Sequence, residues 1–230
     1  MNDFFRLPFF FDEDKLVKDL EKCLSLNWTD HFNQRDYNGD WKSISLRSIS
    51  GNITDANAHP GAEYKDTALL QQCSYFAEVI ESINCEKEAI RLLSLTPGSI
   101  IKTHVDQELG YSDGYFRLHI PIQTNPDVDF IVNSNDLRMK PGECWYANFS
   151  LPHSVANRGT INRIHLVIDC KRNNWSDEVF AESGYCFDLE KQMQSKKQDP
   201  ETMAKMITEL ERMDTDTARQ LIDQLRSSAV

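Results

Sequence analysis

The chain has 230 residues, 40% of them hydrophobic and 27% charged, and a formal net charge of −11. Those values exclude a fibrous or wholly disordered protein, and the acidic balance excludes the broad basic face that nucleic acid requires. A local basic pocket for a small acid stays compatible with them.

The first residues, MNDFFRLPFFFDEDK, lack the basic start and long apolar run of a secretory signal, and no segment approaches the ~18 apolar residues of a membrane span. The six cysteines are scattered without a CxxC pair, which reads as free thiols. The expected location is the cytoplasm, with no nucleic acid and no membrane among the partners.

Three regions follow in order. In residues 1–89, Leu16, Val17, Leu20, Cys23 and Leu24 recur at helical spacing after Asp12-Glu13-Asp14. WKSISLRSISG reads as a strand ending at Gly51, and a second helix is predicted from Thr67 to Ser82 with Asp66 as its N-cap. In residues 90–172 the pattern becomes short apolar runs between turn signals: RLLSL, SIIKTHV, YFRLHIPI, VDFIV, ECWYANF and RIHLVIDC. Such strands suggest an antiparallel barrel or jelly roll. Residues 173–230 begin mixed; from Pro200, Met203, Met206, Ile207, Leu210 and Met213 trace one helical stripe, and Ala218, Leu221, Ile222 and Leu225 another. A carboxylate or hydroxyl of Asp214-Thr215-Asp216 is expected to cap the second. These helices are candidates for a homodimer contact or for closing over the site. The class is α+β, a jelly-roll core flanked by N- and C-terminal helices.

The chemistry concentrates in the β-rich region. In Lys102-Thr103-His104-Val105-Asp106, residues i and i+2 of an extended strand share a face, so His104 and Asp106 can aim at one point. His153, in LPHSVAN, is the leading third ligand. Two histidines and a carboxylate suit non-heme Fe(II) and leave positions open for a chelating cosubstrate and dioxygen. Zinc also takes such ligands, so the three residues alone leave the metal open.

Two arginines sharpen this. Alternation along RIHLVIDC puts Arg163, His165, Val167 and Asp169 on one face; along FRLHIPI it pairs Arg117 with His119. A guanidinium inside a barrel needs an anion, and a carboxylate matches its fork. The plain alternative is that Arg117 and Arg163 pair with barrel acids such as Asp127, Asp129 or Asp169.

RLLSLTPGSIIKTHVD, FRLHIPIQT, MKPGECWYANFSLPHSVAN and NRIHLVIDC, in this order, resemble the aspartyl/asparaginyl β-hydroxylase family, including its bacterial free-amino-acid hydroxylases. WKSISLRS resembles the strand preceding that core in the bacterial members. The resemblance implies a double-stranded β-helix of the cupin-like kind and a dioxygenase using Fe(II), 2-oxoglutarate and dioxygen. It implies that His104 and His153 bind iron, that Arg163 grips the far carboxylate of 2-oxoglutarate, and that Ser94, Arg117 and His119 belong to the cosubstrate site. Ser94 stands one residue closer to His104 than in the animal members. Those members lack the carboxylate ligand; Asp106 supplies it here and places the chain with the bacterial type.

The expected reaction is hydroxylation of an unactivated C–H bond of an amino acid, free, carrier-linked or peptidyl, with release of succinate and CO2. Arg47, His59 and Arg117 are candidates to meet a substrate carboxylate; Phe116, Trp145, Tyr146 and Phe149 are candidates to line the cavity. The competing functions are a non-catalytic cupin-like binding module and a non-oxidative metal-dependent enzyme on the same barrel.

Overall fold

Alternating β-branched and aromatic residues between turn signals make strand the main regular structure of the chain before Tyr185. A computed structural model describes residues 2–31, 33–59, 61–106, 109–197, 200–213 and 215–227. In chain order the first elements are β1 (Phe4–Phe10), α1 (Glu13–Leu24), β2 (Thr29–Asp30), β3 (Tyr37–Asn38), β4 (Trp41–Ser48), β5 (Lys65–Asp66) and α2 (Ser74–Ser82). Then come β6 (Lys87–Leu95), β7 (Ile100–His104), β8 (Tyr115–Gln123), β9 (Val128–Val132), β10 (Asn135–Asp136), β11 (Glu143–Ala147), β12 (His153–Asn157), β13 (Arg163–Lys171) and α3 (Asn174–Glu182).

Two antiparallel sheets result. The larger runs β1-β11-β8-β13-β6-β4-β2, with β5 also on β4; the smaller runs β10-β9-β12-β7-β3. Neighbours far apart in sequence lie side by side in both sheets, the topology of a double-stranded β-helix. Trp41, Leu93, Leu95 and Val167 of the large sheet meet Ile101, Val128, Phe130, Val132 and Val155 of the small one in a buried core. β1 and β4 pair with β11 and β6, and β3 pairs with β7, so the first 89 residues extend both sheets.

α1 packs against α2 and β8. The predicted second helix starts later than expected. Lys65–Asp66 pairs with β4, a 3-10 turn occupies Leu70–Gln72, and α2 begins at Ser74. Asp66 is therefore not its cap. The cap comes from α1: the buried Asp19 carboxylate accepts from the backbone N–H of Tyr75 (2.7 Å) and Phe76 (2.9 Å) and pairs with Lys22 (2.6 Å). Asp19→Ala leaves two helix N–H groups unsatisfied and is expected to cost about 2–4 kcal/mol, read as a lower urea midpoint. An unchanged midpoint would show that α2 does not need this cap.

The chain divides into two compact units, Met1–Tyr185 and Cys186–Val230. The second holds α4 (Phe187–Lys197), α5 (Pro200–Met213) and α6 (Asp216–Ser227). The break between the last two follows the sequence: the Thr215 hydroxyl accepts from Ala218 N–H (3.1 Å) and caps α6, while Asp214 lies outside the described residues. Among the described residues no helix is long and apolar enough to cross a membrane.

Candidate active site

His104 ends β7 and His153 opens β12, directly opposite it in the small sheet. Asp106 lies two residues beyond β7, not on the strand as expected; its backbone N–H donates to Phe149 O (2.9 Å), which holds the chain there. The ligand atoms of His104, Asp106 and His153 lie within 4.8 Å of one another, and no other described histidine, cysteine, aspartate or glutamate forms such a cluster.

The tautomers are set by the backbone. Nδ1 of His104 contacts Lys102 O (2.8 Å) and Nδ1 of His153 contacts Leu151 O (3.0 Å). A carbonyl only accepts, so each Nδ1 carries the proton and each Nε2 keeps its lone pair for a metal. Arg117 Nη1 donates to Asp106 Oδ2 (2.8 Å), while Oδ1 of the same carboxylate lies 3.5 Å from His104 Nε2. Two Nε2 lone pairs and one oriented carboxylate oxygen form the donor set that suits Fe(II).

From this cluster a narrow cavity runs into the barrel. Its lining includes His119, Phe130, Phe149 and, at its inner end on the first residue of β13, Arg163. Arg163 is 2% exposed, and among the described residues no carboxylate pairs with it. Its Nη2 meets His165 Nδ1 (2.9 Å), its guanidinium lies over the Phe130 ring, and its Nε has no acceptor. Burial alone pulls its pKa down to about 9, so the charge persists at neutral pH.

Arg117 behaves differently, and here the plain alternative holds. It pairs with Asp169 (2.6 Å) as well as Asp106, and Asp169 pairs in turn with Arg91 (2.6 Å). Burial opposes its charge, yet the two carboxylates raise the Arg117 pKa above the ordinary value. Burial would likewise raise Asp169, but Arg117 and Arg91 hold it below the usual carboxylate range. This chain of charges borders a second, wider pocket beside His104 and Asp106, which His31, Asn33, Glu88 and Arg91 also line.

Three sequence expectations find no place at the site. Ser94 pairs with Ile164 on the opposite face of the large sheet, beside Leu26 and Trp28. Alternation along β6 explains this: Leu93 and Leu95 face the core, so Ser94 between them faces the other way. Arg47 follows a β-bulge that sets it opposite Ile90, and it pairs with Asp66 (2.5 Å). His59 is exposed on a loop that reaches the wider pocket through Ala58. Of the aromatic candidates only Phe149 lines the cavity; Phe116 and Tyr146 pack with Phe180 and Tyr111, and Trp145 donates to Glu143.

Arg91, Glu88 and His31 were not foreseen. The alternation that exposed Arg163 also puts Arg91, Leu93 and Leu95 on one face of β6, so Arg91 was within reach of the same logic. Glu88 is buried, accepts Gly61 N–H (2.7 Å), and is pushed up by that burial. His31 stacks on Trp41 from an irregular segment that carries no periodic signal.

The buried histidines make a testable pH dependence. Burial, then Arg91 and Arg117, lowers His31 to about 3; burial lowers His153 to about 4; burial, then Arg163, holds His119 and His165 well below their ordinary value. As pH falls below about 6.5 the unfolded chain binds these protons first. Stability is therefore full above that value and is lost toward pH 3–4, by up to about 1.4 kcal/mol per pH unit for each histidine. Urea midpoints of the metal-free protein between pH 7 and 4.5 are expected to fall; a constant midpoint would contradict the buried neutral histidines.

Fold and site together define a double-stranded β-helix carrying a two-histidine, one-carboxylate cluster. The comparisons carry this to a family: the model described as "Aspartyl/Asparaginyl beta-hydroxylase" matches residues 12–173, and the chain belongs to that family. It is 25% identical to L-proline cis-3-hydroxylase 1 of Streptomyces sp over 178 residues, 74% of this chain and 60% of that protein. It is 27% identical to L-proline cis-4-hydroxylase of Rhizobium meliloti (strain 1021) over 162 residues, 69% of this chain and 57% of that one. The matches thus span about three fifths of these relatives' length. Among solved structures, a 2OG-Fe(II) oxygenase family oxidoreductase from Burkholderia pseudomallei shares the fold, with a TM-score of 0.50, 14% identity, and coverage of 74% of this chain and 85% of that one.

Proposed function

We propose that the chain is an Fe(II)- and 2-oxoglutarate-dependent dioxygenase that hydroxylates an unactivated C–H bond of a small amino acid. The observation that carries this is Arg163: a fully buried guanidinium with no carboxylate partner among the described residues, at the inner end of a cavity whose outer end is the His104-Asp106-His153 cluster. An unpaired buried charge is costly, so it is kept for an anion that arrives. A dicarboxylate bound there gives one carboxylate to the metal and the other to Arg163.

Bound Fe(II), with 2-oxoglutarate and dioxygen, supplies the oxidising chemistry, converting the cosubstrate to succinate and CO2 and placing one oxygen atom in the substrate. The protein's part is positional. His104 and His153 present their Nε2 atoms, Asp106 is turned toward the cluster by Arg117, and Phe130 and Phe149 keep water out of the slot. The wider pocket beside the cluster offers ionisable groups of both kinds, the buried Arg91, Asp169 and Glu88 and the half-buried Arg117, suited to a zwitterion. The kinship with proline hydroxylases supports the same substrate class.

The test is a screen of free amino acids and dipeptides for substrate-stimulated succinate formation, with mass spectrometry of the product. A gain of one oxygen in an amino acid is expected. Turnover without a dioxygen requirement would replace this function with a non-oxidative one, and metal binding without any 2-oxoglutarate turnover would favour a binding module.

A further inference from the structure

Arg163 is steered by a histidine that the proposed function does not use. His165, two residues along β13 on the same strand face, is 1% exposed. Its Nδ1 lies 2.9 Å from Arg163 Nη2 and 3.3 Å from His119 Nδ1. A guanidinium has five N–H donors and no acceptor, so His165 Nδ1 must be the accepting atom. A neutral His165 then carries its proton on Nε2. His119 can approach the same lone pair favourably only through an Nδ1–H.

The aromatic surroundings fix this hub. The Phe130 and His165 rings are parallel to within 2° with centroids 6.4 Å apart, and His119 meets Phe130 edge-on at 5.6 Å. The Arg163 guanidinium rests over the same Phe130 ring, 5.1 Å from its centroid. A long guanidinium side chain has many rotamers, and holding one of them in an otherwise apolar slot needs a directional contact. His165 Nδ1 is the side-chain acceptor that Arg163 has among the described residues, and Arg163 Nε remains without one.

We propose that His165 is a positioning residue of the cosubstrate site: its Nδ1 lone pair gathers one N–H from Arg163 and one from His119, so that the remaining donors of Arg163 point toward the incoming carboxylate. This rests on the proposed function, since it assumes that Arg163 receives 2-oxoglutarate. His165 acts through Arg163 and touches neither substrate nor metal.

Two variants separate position from bulk. His165→Leu removes the acceptor; His165→Asn keeps a carbonyl oxygen where Nδ1 stands. His165→Leu is expected to raise the KM for 2-oxoglutarate by roughly ten- to a hundredfold, the loss of one hydrogen bond to a charged donor, with kcat at saturating cosubstrate and the KM for substrate held. His165→Asn is expected to restore most of the affinity. Independently of turnover, long-range nitrogen-15 spectra of the metal-free wild-type chain should show His165 with bare Nδ1 and protonated Nε2. An unchanged cosubstrate KM in His165→Leu, equal damage in both variants, or a protonated Nδ1 would each overturn the proposal. If Arg163→Ala raises the cosubstrate KM and His165→Leu does not, only the positioning role fails. If Arg163→Ala has no effect either, the cosubstrate assignment fails with it.

Discussion

Replacing Arg163 by Ala is expected to raise the 2-oxoglutarate concentration for half-maximal turnover by roughly 30-fold to several thousandfold, corresponding to about 2–5 kcal/mol for a buried carboxylate that loses its charged partner. The direction follows from burial: water cannot replace the guanidinium at the inner end of the cavity. Arg163→Lys should recover only part of the loss, because an ammonium restores the charge without the two-pronged fork. The same position makes a second, opposite prediction. Without cosubstrate, Arg163 is a buried charge with no acid beside it, so Arg163→Met is expected to leave the metal-free protein as stable as wild type or more so. Cosubstrate titrations on the Ala and Lys variants and urea curves on the Met variant check both parts. Unchanged cosubstrate affinity would remove Arg163 from the role.

Asp169→Ala is expected to be the most damaging change to stability. Asp169 is 3% exposed and binds Arg117 through both oxygens, at 2.6 and 3.1 Å, and Arg91 at 2.6 Å. Among the described residues, its loss leaves the buried Arg91 with only the Ala56 carbonyl and Arg117 with only Asp106, and breaking one buried pair costs about 3–5 kcal/mol. The effect should reach the metal as well. Arg117 is shared between Asp169 and Asp106, so releasing one end frees the carboxylate that faces His104. Metal affinity is expected to fall about 10- to 100-fold, the usual cost of losing a residue that orients a ligand. Urea denaturation and a metal titration would show both losses. A variant with wild-type stability would mean that Arg91 and Arg117 find other partners.

Much of this was legible in the sequence because β-strands have a simple period. Alternation along RIHLVIDC and FRLHIPI put Arg163, His165, Asp169, Arg117 and His119 on interior faces, and the strands pair that way, Val167 opposite His119 and Asp169 opposite Arg117. VDFIV is a strand from its first residue to its last. What failed was whatever interrupts the period. The bulge between Ser45 and Arg47 turned Arg47 away. Ser94 was placed by resemblance, whereas the alternation of β6, with Leu93 and Leu95 in the core, sets its hydroxyl behind the sheet. Asp106 reaches the cluster from beyond the end of β7, held by a backbone bond to Phe149 that no local pattern announces. The cap of α2 was missed for the same reason: Asp19 is distant in sequence and close only in the fold. FFRLPFF, read as an aromatic run, is an edge strand of the large sheet, where Pro8 is tolerated.

The central claim is that one cavity holds a metal at His104, Asp106 and His153 and a dicarboxylate at Arg163. Adding Fe(II) and 2-oxoglutarate to the protein under anaerobic conditions tests both ends at once. The expected result is the weak visible metal-to-ligand charge-transfer absorption, saturable in 2-oxoglutarate, lost in His153→Ala and requiring far more cosubstrate in Arg163→Ala. A folded wild-type protein that shows no such band at any 2-oxoglutarate concentration would contradict the claim.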